Sequence, residues 1–336
     1  MATTTVIDYQ DNNKTIYGLK SDAVRYTWSG YFLFVLASSI VGDSTILIAS
    51  IKYRAFKLHN VIVVIIQHMA FCDLMVSITY ALPNFVSVIA DGWVFGKFLC
   101  YLTTYTTYYF NPNSVLLLCT MTTSKLLLLK YPLQFGTTSA KKAHIFCAAC
   151  WLVALIVPVT LLSASILHGE EIYFSYKTYY CLSGFSSDIW HWLSPLLAVV
   201  FMFIPNCVVI ATTIYLLIIA KQVAHRGREN LKWQGIMTAL LTATVYCISV
   251  LPYTVYVVGK SVFDLDDNSS SFFHTSFRRI AISILYLNTI SNFYIYSLSV
   301  QGFRDFIRSK VLRTKKIFIR LETSASDHGN VLGNLF

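Results

Sequence analysis

Seven long apolar stretches, Gly30–Ile51, Asn60–Ile89, Phe98–Leu129, Ala143–Leu167, Trp190–Ile219, Trp233–Val258 and Ile280–Val300, alternate with short polar segments. Several exceed the roughly 20 residues a helix needs to cross a bilayer, which implies tilt or helices that project past the lipid. The pattern predicts an all-α membrane protein: a seven-transmembrane helix bundle over residues 30–300, with segment 1–29 ahead of it. The connections are short, so successive helices are antiparallel neighbours. Beyond Val300, Phe303, Phe306, Ile307 and Val311 fall on one helical face with basic residues on the other. That is the signature of a short amphipathic helix lying in the membrane interface, assigned to 301–320. Residues 321–336 read as a disordered polar tail. No apolar run precedes Trp28, so the first span doubles as the targeting signal. Pro83, Pro112, Pro158, Pro205 and Pro252 fall inside or at the ends of spans, where each removes a backbone hydrogen bond and is expected to kink its helix.

Composition agrees with the pattern. Of 336 residues, 56% are hydrophobic and only 12% charged, about half the charge of an ordinary soluble domain. The segments joining the second to third, fourth to fifth and sixth to seventh spans, with residues 1–27, hold 8 Lys/Arg, against 18 on the other side. Basic residues accumulate on the cytoplasmic face, so the N-terminus is expected outside and the C-terminus inside. The net charge of +10 is therefore a topology and lipid-headgroup signal, and nucleic-acid binding is not expected. The sequons at Asn13 and Asn268 fall on the outer side and are candidate glycosylation sites. Six of eight cysteines lie within spans, leaving Cys100 and Cys181 at the outer face. Two cysteines in the oxidising compartment most simply pair with one another.

Only two acidic side chains, Asp43 and Asp73, fall inside the spans. A carboxylate retained in the membrane is costly and is by default a functional-site hypothesis. From the helical rise, Asp43 lies about 14 Å above Lys52, Asp73 about 20 Å above Asn60, Ser114 about 17 Å above Lys125 and Asn292 about 15 Å above Gly302. Asn288 lies one turn above Asn292. Four spans thus bring oxygen or amide groups to one layer, facing the bundle interior because lipid offers them no partner. The set suits a sodium ion or a shared proton; a water-filled network that merely holds the helices together is the alternative. No other cofactor is implied.

Residue by residue, the chain resembles rhodopsin-like (class A) G-protein-coupled receptors over about residues 30–320. Gly42-Asp43 is similar to the family's first-span Gly-Asn, and Asp73, four residues after Met69, to its second-span aspartate. Trp93-Val94-Phe95-Gly96 ahead of Cys100, the Cys100–Cys181 pair, Trp151, Pro205 and Pro252 follow the family order. Asn292-Phe293-Tyr294-Ile295-Tyr296 stands for Asn-Pro-x-x-Tyr. The resemblance implies a plasma-membrane receptor that binds an extracellular small molecule or peptide and signals to a heterotrimeric G protein. It assigns Lys125, Pro205, Tyr246, Pro252 and Tyr296 to activation and coupling.

The departures are informative. Ser124-Lys125-Leu126 replaces Asp-Arg-Tyr at the inner end of the third span, and Val250 replaces the sixth-span toggle tryptophan. Lysine keeps the charge but loses arginine's planar fork of donors. A receptor-like protein without efficient coupling is therefore a rival reading. Tyr286 stands where opsins carry the retinal lysine, and a Schiff base needs an amine. Thr107 stands where monoamine receptors carry an aspartate. The remaining interhelical set, Thr107, Tyr108, Asn111, Tyr253, Thr254 and Tyr286, suits a small neutral ligand or a peptide side chain. His68, His144 and His191 show no metal-ligand spacing, and nothing resembles a nucleophile–base pair, so enzymatic activity is not expected. A secondary transporter or channel is the rival of a different class; the chain lacks the inverted repeat and paired broken helices that class uses.

Overall fold

The computed structural model describes residues 22–52, 61–131, 140–168, 172–176, 179–183, 193, 195–225, 230–263, 272–299 and 303–309. The sequons at Asn13 and Asn268, His191 and the tail 321–336 lie outside the described residues.

The predicted helices form in order. α1 is Asp22–Lys52 and α2 is Val61–Ile89. α3 is Gly96–Lys130, and α4 comprises Ala140–Ala154 and Ile156–His168. α5 runs from Pro195 through Val199–Phe203 into Ile204–His225, α6 is Asn230–Phe263, and α7 is Phe272–Ser299. A further turn of helix, α8, covers 303–309. α4 meets α5 through Leu161, Ala164 and Leu197; the other sequence neighbours pack side by side, α7 closes back onto α1, and α3 touches α2, α4, α5 and α6. By length and apolar composition alone, α1, α2, α4 and α5 suffice to cross a membrane. α3, α6 and α7 carry Thr, Tyr, Asn and Ser along with their apolar residues and place many of them against neighbouring helices.

The apolar side chains divide accordingly. Ile65, Ile66 and Met69 of α2 and Leu117, Leu118 and Met121 of α3 are fully enclosed. Ile145, Phe146, Leu152, Leu162, Ile166 and Leu167 of α4 are exposed, as residues solvated by lipid would be. α8 docks by Phe303 and Phe306, both buried, with Phe303 against the ring of Phe293 at 5.9 Å between centroids.

The prolines leave different marks. Pro83 and Pro205 each follow a π turn, Ser77–Ala81 and Val199–Phe203; a π turn takes in an extra residue and changes the helix's phase. Pro158 sits four residues after Ala154, where α4 is interrupted at Leu155, as expected where a proline ring meets the carbonyl four residues back. α3 and α6 run on through Pro112 and Pro252.

One element departs from an all-helical expectation. Ile172–Ser175 (β1) and Tyr180–Ser183 (β2) form an antiparallel hairpin, with Phe174 opposite Cys181. It marks one end of the bundle, the hairpin end; α8 marks the other. The Cys100–Cys181 disulfide, with Cα atoms 5.4 Å apart, ties β2 to the first turns of α3. Thr104 Oγ1 also donates to the Cys181 carbonyl at 3.0 Å. Gly96, with φ +75°, opens α3 and accepts a 2.8 Å hydrogen bond from Trp93 Nε1 on its carbonyl. The turn ahead of α3 thus uses both ends of the Trp93–Gly96 motif.

Candidate functional site

The layer of polar groups assembles around Asp73. Asn292 Nδ2 donates to Asp73 Oδ2 at 2.6 Å, and Ser114 Oγ to Oδ1 at 3.4 Å. Helices α2, α3 and α7 thus meet on one carboxylate that is 1% exposed. Asp43 is wholly buried on α1, accepts from Ser39 Oγ one turn earlier, and lies within reach of the charge of Asp73. Its Oδ1 and Asn292 Oδ1 have no hydrogen-bond partner among the described residues. Buried polar atoms are usually satisfied by protein, water or an ion, so both oxygens invite an occupant. Asn288 is buried a turn away, but no hydrogen bond joins its side chain to either carboxylate among the described residues. Ser39 entered the site unannounced by the sequence; its spacing of four residues from Asp43 is the signal that would have found it.

The residues assigned to coupling continue toward the α8 end. Tyr296 is enclosed beside Thr242 of α6, and Tyr246 is 2% exposed, its hydroxyl without a hydrogen-bond partner among the described residues. Lys125 is half-buried and makes no ion pair among the described residues. Near Pro205 and Pro252, Asn206 Nδ2 donates to Thr254 Oγ1 at 3.1 Å, joining α5 to α6. Thr254 also donates to the Val250 carbonyl, so this residue, expected in a ligand pocket, serves a helix–helix contact.

At the hairpin end the aromatic residues are shared among helices. Asn111 Nδ2 reaches Tyr286 OH at 3.5 Å. The Tyr286 ring stacks on Tyr80 with centroids 3.7 Å apart, and Tyr80 meets Tyr180 of β2 at 5.1 Å. Burial raises the Tyr180 phenol well above its ordinary range, which keeps it neutral. Tyr108, Tyr253 and Tyr180 all feel the charge of Arg278, whose guanidinium lies 5.8 Å over the ring of Tyr256. Thr107 turns its hydroxyl to the Thr103 carbonyl. A cavity with about 330 Å³ of empty space, including open solvent, lies to one side of this group. It is bounded by Trp28 and Phe32 of α1, Tyr80 of α2, Tyr179 of the hairpin, and Arg279 and Ser283 of α7. Of the expected pocket residues, Tyr286 reaches this wall through its stack on Tyr80.

A second polar contact was invisible to sequence spacing. His68 Nε2 and His144 Nδ1, 76 positions apart, lie 3.2 Å from each other, and Trp151 Nε1 donates to His68 Nδ1 at 3.0 Å. Because the indole can only donate, His68 Nδ1 is the lone-pair nitrogen and Nε2 carries the proton given to His144. A cation at Nε2 would displace that proton. No group of three metal-ligating side chains occurs among the described residues.

The comparisons with known proteins follow the same lines. The chain is 27% identical over 157 residues to octopamine receptor beta-2R of Chilo suppressalis, covering 44% of this chain and 38% of the relative. It is 22% identical over 165 residues to cysteinyl leukotriene receptor 1 of Cavia porcellus, covering 48% and 47%. These matches thus span less than half of either relative. Trace amine-associated receptor 8 of Homo sapiens is 25% identical over 336 residues, covering 89% of this chain and 90% of the relative. The family model described as 7 transmembrane receptor (rhodopsin family) matches residues 43–296. The chain belongs to the rhodopsin family of seven-transmembrane receptors.

Proposed function

We propose that this protein is a plasma-membrane receptor with its hairpin end outside. It binds an extracellular small molecule or peptide there and passes the signal through α3, α6 and α7 to a heterotrimeric G protein at the α8 end. The observation that carries this reading is the run of buried polar residues along α7. Tyr286 meets Asn111 and Tyr80 near the hairpin, Asn292 holds Asp73 in the middle, and Tyr296 lies beside Thr242 toward α8. One helix therefore contacts the aromatic site, the acidic layer and the far end. A shift of α7 that relieves one contact strains the others, which is what a two-state bundle requires. The excess of Lys/Arg on the α8 side supports the orientation.

Two of the relatives are named for amines, octopamine and trace amines. Thr107 cannot supply the carboxylate an ammonium ligand needs, and we do not carry an amine over to this chain. The acidic layer is proposed as a sodium or proton site made by Asp43, Asp73, Ser114 and Asn292, with Asn288 at its edge. Agonist-stimulated nucleotide exchange on a purified G protein tests the reading; substrate flux in proteoliposomes without exchange would instead favour a transporter. A second reading, a receptor that binds without efficient coupling, is favoured by Lys125 and Val250. It predicts ligand-induced thermal stabilisation with no exchange.

A further inference from the structure

One histidine of α2 is clasped by two turns of α4. His144 and Trp151 are seven residues apart, which puts them on one face of α4. His68 of α2 lies between them. Its Nδ1 accepts from Trp151 Nε1 at 3.0 Å, and its Nε2 is 3.2 Å from His144 Nδ1. The indole is fixed by more than this bond. It packs on Phe71 of α2 and on Tyr109 and Phe110 of α3, with ring centroids 5.6 to 5.9 Å apart. Tyr109 OH also donates to the Trp151 carbonyl at 3.3 Å.

The protons in this chain of three rings have one possible arrangement. An indole only donates, so His68 Nδ1 is a lone pair; the neutral ring then carries its hydrogen on Nε2 and gives it to His144 Nδ1. His144 in turn keeps its own hydrogen on Nε2. Reversing the bond between the histidines is excluded, since His68 would have to accept at both nitrogens. A second proton on His68 would set N–H against the indole N–H. One on His144 would set N–H against that of His68. An imidazolium donates from both nitrogens, so no charged form of either ring keeps both hydrogen bonds.

The surroundings offer an added charge no relief. On α2, Cys72 donates to the Phe110 carbonyl, and the Asp73 carboxylate, five residues beyond His68, is turned to Ser114 and Asn292. On α3, Tyr109 is engaged with Trp151. On α4, Cys147 is buried, and Lys141 and Lys142 bring positive charge to the same end of the helix as His144. No acidic side chain bonds to either histidine among the described residues. His144 is exposed and His68 half-buried, so protons reach the pair from the α8 end, where α4 begins.

We propose that His68, His144 and Trp151 form an acid-opened latch between α2 and α4, closed while both imidazoles are neutral and broken by a single added proton. Linkage gives the sign. The closed contact holds no extra proton, so it is favoured at high pH and lost as pH falls through the range in which histidine titrates. The latch itself does not rest on the receptor reading; under that reading it answers to cytoplasmic pH.

Two measurements on purified full-length protein in lipid nanodiscs test it. The first is nitrogen NMR of isotope-labelled histidine, the two rings being identified by the signals lost in His68→Gln and in His144→Asn. At about pH 8 both rings should show a lone pair on Nδ1 and hydrogen on Nε2, and the two should change together as pH is lowered to about 5. The second is thermal unfolding over the same pH range, in wild type and in His68→Gln/His144→Asn. Amides accept and donate without titrating, so the double variant can keep both bonds at every pH. Acid should lower the melting temperature of the wild type by on the order of 2 °C more than that of the double variant, the shift expected for a lost hydrogen bond. Trp151→Phe frees His68 Nδ1 and should shrink the acid loss as well. Hydrogen on His68 Nδ1 at high pH, independent titration of the two rings, or equal acid losses in wild type and double variant would each overturn the latch. The wild-type spectra keep the test decisive if the double variant folds poorly.

Discussion

Gly42 of α1 and Phe293 of α7 fit so closely that a β-carbon on Gly42 would lie 2.8 Å from Cβ and 3.1 Å from Cγ of the phenylalanine. Phe293 stands where the family motif carries proline. The ring packs both toward α1 and, edge-on, against Phe303 of α8. The glycine beside Asp43 is thus a requirement of space, and the substitution in α7 has its counterpart on another helix.

Gly42→Val should therefore destabilise the bundle by about 1–3 kcal/mol, the usual cost of forcing extra carbons into a packed contact. Phe293→Gly, which removes both the β-carbon and the ring it meets, should relieve it, so the double variant should melt higher than the sum of the single effects predicts. Thermal unfolding of all four proteins in the same detergent gives the coupling. Strict additivity would show that the clash is absorbed elsewhere.

The disulfide and hairpin make a separate prediction. Cys100 and Cys181 are bonded, and β2 is held to α3 through them. Loss of a native disulfide costs about 2–5 kcal/mol, so Cys100→Ser/Cys181→Ser should lower surface expression and ligand-induced stabilisation together. Peptide mapping of surface-expressed protein should find both thiols blocked; either one free would contradict the structure.

Lys125 tests coupling. It is half-buried at the end of α3 nearer α8 and makes no ion pair among the described residues. Lys125→Ala should reduce nucleotide exchange without abolishing surface expression, and Lys125→Arg should preserve or raise it, because arginine adds donors in a fixed fork. Unchanged exchange in the alanine variant would remove Lys125 from the coupling surface.

Much of this is legible in the sequence. Long apolar runs determine helices in lipid because every backbone group must be satisfied within its segment. For the same reason Asp43, Asp73, Ser114 and Asn292 could be placed in one layer from helical rise alone. The contacts that escaped depend on rotation about helix axes. Depth alone makes Thr254 a pocket candidate, while its contact with Asn206 of α5 depends on rotation about the helix axis, a turn of roughly 100° per residue. His68 and His144 met only because α2 and α4 pack together. The hairpin escaped because Ile172–Ser175 and Tyr180–Ser183 are each four residues long, too short for period-two alternation to stand out from a polar loop. The cavity beside Arg279 needed four elements to converge, and no local pattern encodes that.

The acidic pair gives the sharpest regulatory prediction. The family position of Asp43 normally carries asparagine, so this chain sets a second carboxylate within reach of the charge of Asp73, both buried. Two like charges in a low-dielectric layer resist joint ionisation. A proton shared by the pair, or a sodium ion held with Ser114 and Asn292, would relieve the repulsion and occupy the unpartnered Asp43 Oδ1. Linkage then sets the sign: the conformation that holds the proton or ion better gains population as its concentration rises. If activation draws the helices inward and collapses the site, the resting form is that conformation. Agonist affinity should therefore fall as sodium rises or as pH drops, and recover as pH is raised. Asp43→Asn keeps the shape and the Ser39 contact but removes one ionisable group, so its pH dependence should flatten. Asp73→Asn should remove the sodium dependence. Agonist binding across sodium concentration and pH, in wild type and both variants, decides it. Flat, superimposable curves for wild type and Asp43→Asn would mean that Asp43 is a neutral hydrogen-bonding substitute for asparagine, with no regulatory part.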